Sequence, residues 1–276
     1  MTVEDETGET ADPTVSPLAH FGAEVRLDRE RLGMTREALG KEACCSYSLV
    51  AKIESGTQVP PLNFAEACDR VFPHANGRFV RLWPLALRWA FPPWFRRYVE
   101  LEWTATSLHM FHPLLVPGIA QTEEYARTVL RAGRPVNLED LVTARTERQR
   151  ILEREKPTRL WLVLNEFVLR NTVGSETVMY EQLSHLRDLA DKPPHVVQIV
   201  PTRTTNHIAA SPFGLLSFGE GAADVVHVDG FPRGYLLADT DDVVAANDAY
   251  DLLKATALSP HESAEMIGSI MKDCYS

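Results

Sequence analysis

Between Thr35 and Pro60 the chain sets residues able to hydrogen-bond outward at fixed distances from residues that must turn inward. Ser46, Tyr47, Ser48, Ala51 and Lys52 share one side of a short amphipathic stretch, and Val50 and Ile53 share the other. A polar face this short is the kind of surface that enters the major groove of a duplex, about 12 Å wide. The other chemistry-bearing groupings are poorer. His109-x-x-His112 lacks a glutamate on a helix face and is followed at once by Pro113, so it does not read as a metal site. Gly214, Gly219 and Gly221 form no phosphate-loop pattern, and Ser211-Pro212 has no base and orienter that the sequence reveals. Arg145, Arg148 and Gln149 on one helix suit an acidic ligand or partner, and equally suit a solvated face paired with Glu147, Glu153 and Glu155.

The elements that position the Thr35–Pro60 stretch are short helices. Phe21, Val25 and Leu32 recur at roughly helical spacing, and Gly33 ends that helix. Thr35 is a good N-cap for a second helix through Lys41, with Ala38 and Leu39 facing inward and Gly40 permitting close approach. Ser46 caps a third helix to Glu54, which Gly56 stops. Asn63 caps a fourth to about Phe72. Further on, Arg78–Trp89 reads as a helix interrupted at Pro84. Trp94–His109, Thr122–Ala132, 139–155, Val178–Leu189, Asp241–Leu253 and His261–Met271 read as helices. Leu160–Asn165, His195–Val200, Gly214–Phe218 and Asp224–Val228 read as strands. Pro117-Gly118 marks a turn.

The 276 residues, 45% of them hydrophobic, are enough for two packed domains. We divide them into an acidic disordered tail (1–17), a helical domain (18–75), a helical linker (76–93) and an α+β domain with a small mixed sheet (94–276). The four cysteines, Cys44, Cys45, Cys68 and Cys274, lack paired spacing, so free thiols are expected. The acidic start lacks the features of a signal peptide and no apolar run is long enough to span a bilayer, so a cytoplasmic protein is expected. The net charge of −10 opposes phosphate contact, but it is uneven. From Gly77 to Tyr98 there are five arginines and no acid, whereas 220–251 is acid-rich. DNA affinity would then come from a local patch and from dimerisation.

The stretch from Met34 through Ile53-Glu54-Ser55-Gly56 to Pro60 resembles the Xre-type family of phage-repressor-like helix-turn-helix domains, over about Leu18–Phe72. The resemblance implies an all-α helix-turn-helix N-terminal domain in which the helix opening at Ser46 is the recognition helix. It implies that Tyr47, Ser48 and Lys52 face base edges, that Thr35, Arg36 and Ser46 meet phosphate, and that Glu54 pairs with Arg29 as a structural tie. One departure is Cys44-Cys45 in the turn, where glycine is common. From Trp94 onward the chain resembles the C-terminal domain of a group of antitoxin-like actinobacterial regulators, through Trp94–Glu102, Leu115–Thr122, Tyr125-Ala-Arg127, Arg145-x-x-Arg148-Gln149, Asn165-Glu166, Gln182–Leu186 and Pro212-Phe213. That resemblance implies a homodimeric transcription factor on double-stranded DNA, working with a small acidic partner protein. No cofactor, metal, membrane contact or enzymatic activity is expected. The competing expectation is an antitoxin-like partner-binding protein or small-molecule sensor whose DNA binding is secondary.

Overall fold

The computed structural model describes residues 12–14, 16–202, 211–219 and 221–275, so most of the expected acidic tail lies outside the described residues. The chain forms two compact units. Residues 1–96 together with 139–147 make the first, and 97–138 with 148–276 make the second.

The first unit is helical. Its N-terminal helices are α1 (Pro17–Arg31), α2 (Arg36–Glu42), α3 (Tyr47–Glu54), α4 (Leu62–Val71) and α5 (Arg78–Trp89). Phe21 and Val25 of α1, Leu39 of α2, Val50 and Ile53 of α3 and Phe64 of α4 are fully buried. Burying each such side chain contributes about 1.5–3 kcal/mol before conformational entropy is subtracted. Asn63 is not the cap of α4: Pro61 holds that position with no side-chain bond. Pro84 does not interrupt α5, which runs through it. The helix survives because its seam of Phe79, Trp83, Ala86 and Leu87 is buried and Trp83 Nε1 donates to Pro60 O at 2.8 Å. α5, expected as a linker, packs against α1 and α4. Helix α6 (Pro93–Thr104) follows.

The second unit is α+β. Six strands, β1 (Ser107–His112), β2 (Arg159–Asn165), β3 (Val196–Val200), β4 (Phe213–Ser217), β5 (Val225–Val228) and β6 (Tyr235–Leu237), form one sheet in the order β3-β2-β1-β4-β5-β6. β1–β2 and β2–β3 pair parallel and the remaining neighbours antiparallel. Among the described residues the other helices are α7 (Glu123–Ala132), α8 (Leu138–Arg148), α9 (Glu166–Arg170), α10 (Glu176–Ala190), α11 (Thr240–Thr256) and α12 (Pro260–Cys274). α8 gives way after Arg148 to a short 3-10 turn, Gln149–Leu152, rather than continuing to 155.

Register sorts the sheet's side chains. Phe111 lies opposite both Val163 and Phe213, and Leu215 opposite Val226, so these residues share a face, against which Tyr250 and Leu253 of α11 pack. Leu160, Leu162 and Leu164 alternate to the other face. The helix expected to reach His109 stops at Thr104, and His109 and His112 lie on β1. Residues three apart on a strand point to opposite faces, so these two imidazoles cannot share one ligand. His109 instead stacks on Tyr250 at 5.3 Å between ring centroids. The strand forms because β2 and β4 offer hydrogen bonds on both its edges, a long-range gain that no local pattern in 94–112 records.

Candidate nucleic-acid interface

Two capped helix starts define the candidate surface. Ser46 is extended (φ −77°, ψ 156°), and its Oγ accepts from Leu49 N at 3.2 Å. Thr35 does the same for α2, its Oγ1 accepting from Ala38 N at 3.2 Å. A capped first turn still has N–H groups to offer an anion. The first turn of α3 holds no acid, whereas that of α2 holds Glu37. On α3, Tyr47 is 48% exposed, Ser48 and Lys52 are exposed, and Val50 and Ile53 are buried beneath them. On α2, Leu39 is buried but Ala38, expected inward, is exposed. The buried side of α2 is centred on Leu39 and Gly40 instead, which turns Ala38 outward.

Close packing fixes the helices against each other. A Cβ on Gly22 of α1 would lie 2.1 Å from the Ile53 carbonyl oxygen, so α1 and α3 touch through backbone. The turn between α2 and α3 passes through Cys44 with φ +53°, a left-handed conformation that costs a residue bearing a Cβ about 1–2 kcal/mol.

Glu54 ties the three helices. Its side chain is 1% exposed. Oε1 accepts from Arg29 Nε at 2.5 Å and Oε2 from Arg29 Nη2 at 3.1 Å. Oε2 also accepts from Arg36 Nε at 2.7 Å. Hydrogen bonding to this carboxylate holds both guanidinium groups above their usual pKa. Arg36 reaches on to the Tyr47 hydroxyl at 3.4 Å, and Arg29 Nη1 donates to Met34 O at 2.8 Å. The start of α2 is thereby linked to the exposed phenol of α3. The family resemblance pairs Glu54 with Arg29 and does not reveal the second arginine, because the bond from Arg36 to Glu54 depends on the angle between α2 and α3. The arginine-rich stretch is also partly committed within the first unit. Arg78 pairs with Asp28 and, at 3.1 Å, with Glu24, while Arg81 donates to Asn76 O at 2.6 Å.

A third layer comes from α8. Asp140 Oδ1 accepts from Val59 N at 2.8 Å, and Glu147 Oε1 from Leu62 N at 3.4 Å. Both acids belong to the first unit and hold the segment between α3 and α4. The C-terminal end of α3 is capped within that loop, where Thr57 N donates to Lys52 O at 3.0 Å. Sequence reading treats 139–155 as one charged helix and gives no signal that Asp140 reaches a backbone amide 81 positions away.

Of Arg145, Arg148 and Gln149, Arg145 is half-buried, Arg148 is buried and Gln149 is half-buried. Arg145 belongs to the first unit. Arg148 and Gln149 belong to the second, where Arg148 Nε lies 2.9 Å from Glu102 Oε2 and Gln149 Nε2 donates to Gly118 O and Gln121 O at 3.1 and 2.7 Å. Glu102 also accepts from Tyr98 OH at 2.9 Å, and the Tyr98 ring lies 4.1 Å from that of His227. Burial lowers the pKa of His112 to about 3 and of His227 to about 4, with the nearby Arg148 charge adding to both, and burial raises that of Glu102. This is a polar core rather than an open site. A separate open groove of about 350 Å³ is lined by Phe213, Val226, Val228 and Leu237 from the sheet and Ala245 and Ala249 from α11. Among the described residues no group of three or more His, Cys, Asp or Glu is arranged to hold a metal ion, and no helix is long and apolar enough to cross a membrane.

Two family models match the chain. The model described as a helix-turn-helix domain matches residues 20–72, which span the capped helices and the Glu54 tie. The model described as a domain of unknown function, DUF5753, matches residues 95–269. No curated protein and no solved structure matches.

Proposed function

The chain belongs to the DUF5753 family, and on that premise we propose that it is a sequence-specific, DNA-binding transcriptional regulator of the Xre type. α3 is the recognition helix. Tyr47, Ser48 and Lys52 read base edges in the major groove, while Thr35, Arg36 and Ser46 meet phosphate. The observation that carries the reading is the exposed polar face of α3, which stands on buried Val50 and Ile53 beside two capped helix starts, inside a matched helix-turn-helix domain.

The protein acts in the cytoplasm as a homodimer, placing two such helices about one duplex turn apart, with a small acidic protein as partner. Two half-sites offset the modest electrostatics of a chain with net charge −10. Control of DNA affinity lies in the second unit, and the apolar groove beside α11 favours a small apolar ligand or an apolar partner side chain as the signal.

Selection of duplexes from a random library, followed by anisotropy titration, tests this. Lys52→Ala and Tyr47→Ala relax preference at particular base pairs, each by about 1–3 kcal/mol. Arg36→Ala weakens binding to every sequence and reduces the salt slope by about 1, with an added loss at the base pair read by Tyr47, whose hydroxyl Arg36 holds. A protein that retains no duplex at low salt, in any oligomeric form, overturns the proposal.

A further inference from the structure

The sheet of the second unit ends differently on its two sides. At β3 the chain itself takes up the edge: Leu258 N donates to Ile199 O at 2.9 Å, and Ile199 N donates to Ser263 Oγ of α12 at 3.0 Å. At β6, among the described residues, no backbone group is hydrogen-bonded on the side away from β5. A strand edge left this way is a template for another strand. β6 reads Tyr235-Leu236-Leu237, with neither charge nor proline. Tyr235 is 59% exposed and shares a face with Leu237, which lines the apolar groove together with Val226 and Val228 of β5.

The charges on either side of β6 indicate what that edge fits. Arg233 is the only lysine or arginine between 220 and 251, a stretch rich in aspartate. It is exposed and, among the described residues, makes no ion pair. Asp239 is exposed and keeps the chain extended, with φ −67° and ψ 139°. Its Oδ1 caps α11 by accepting from Asp241 N at 3.0 Å, which leaves Oδ2 for a cation. Arg233 and Asp239 stand three positions before and three after Leu236. Two β6 strands paired antiparallel about Leu236 therefore set Arg233 opposite the partner's Asp239 and Tyr235 opposite the partner's Leu237, with facing Cβ atoms about 4.5–5.5 Å apart.

We propose that two copies of this chain join edge to edge through β6, in an antiparallel pair centred on Leu236 that matches Arg233 of each copy with Asp239 of the other. The inference rests on the homodimer of the proposed function and names its surface. One edge serves both copies about a twofold axis, so the pairing uses up the open edge and stops at two.

The test takes the full chain as wild type, as Arg233→Asp, as Asp239→Lys and as an equimolar mixture of these two variants, in sedimentation velocity over a concentration series. Each variant alone places like charges together twice per dimer and is expected to raise the dimer Kd about tenfold. The mixture restores both opposite-charge pairs and is expected to dimerise as wild type does, which also shows that each variant is folded. Asp239→Asn keeps the cap of α11 and is expected to weaken the dimer about threefold. In wild type, hydrogen exchange of the 235–237 amides is expected to slow as concentration passes the Kd. An unchanged Kd in Arg233→Asp, with exchange over 233–239 independent of concentration, overturns the proposal, and duplex binding by the same protein leaves the DNA-binding reading standing. A chain that stays monomeric at every concentration, with and without duplex, removes the homodimer and this inference together. Rescue in the mixture by a protein that retains no duplex supports this inference and removes the DNA-binding reading.

Discussion

Replacing Glu54 by glutamine tests the tie that holds the recognition helix in place. The amide keeps the shape and one acceptor oxygen but removes the charge that two guanidinium groups share. Arg29 has a side chain only 10% exposed and cannot recover its hydration in place, whereas Arg36, at 31%, partly can. Leaving a buried charge without its partner costs about 3–5 kcal/mol. The retained acceptor and the exposure of Arg36 place this substitution at the lower end, about 3 kcal/mol. Amide exchange followed by mass spectrometry on peptides covering α1–α3 reads this unit separately from the second. A loss of that size speeds exchange about 100-fold, since each 1.4 kcal/mol is a factor of ten. Replacing Arg29 by methionine and Glu54 by leucine together should recover most of the protection, because an apolar pair of similar volume needs no compensation. Exchange in Glu54→Gln within about threefold of wild type, corresponding to about 0.6 kcal/mol, would refute the claim that this ion pair organises the domain.

Three further substitutions or conditions follow from the geometry. Gly22→Ala drives a methyl group into the Ile53 carbonyl, and backbone cannot yield as a side chain can, so we expect a loss of at least about 3 kcal/mol and of DNA binding, read by thermal unfolding and anisotropy. Cys44→Gly relieves the left-handed strain of about 1–2 kcal/mol while giving back about 0.5–1 through the unfolded chain, so the urea midpoint should rise slightly; a fall would contradict the strain argument. Acidification should weaken the second unit. His112 and His227 stay neutral in the fold down to pKa values of about 3 and 4, while the unfolded chain takes up protons from about pH 6.5 downward. Each therefore lowers stability by up to about 1.4 kcal/mol per pH unit as pH falls from about 6.5 to about 4. His109, His185 and His195, also shifted down by burial, act in the same direction, and Glu102, with its raised pKa, acts in the opposite one. Calorimetric scans across this range should show the midpoint falling, and a flat profile between pH 6.5 and 5 would rule out the buried-histidine account.

The helix-turn-helix was legible in the sequence because its determinants are local. Ser46 and Thr35 cap the helices they directly precede, Gly33 and Gly56 follow the ends they terminate, and the Val50–Ile53 spacing marks the inner face within one helical turn. Chain neighbours settle these features before any tertiary contact forms. Strand β1 was not legible, since residues 107–112 become a strand only by pairing with β2 and β4, about 50 and 100 positions away. The same holds for the second arginine on Glu54, for Asp140 beneath Val59, and for the burial that takes Arg148 onto Glu102. The sequence by itself determined which helix presents a polar face and how it is capped. Only the tertiary structure decided which charges face that helix and which are spent in the interior, because charge–charge energies depend on distance and burial, and neither is written in the order of residues along the chain.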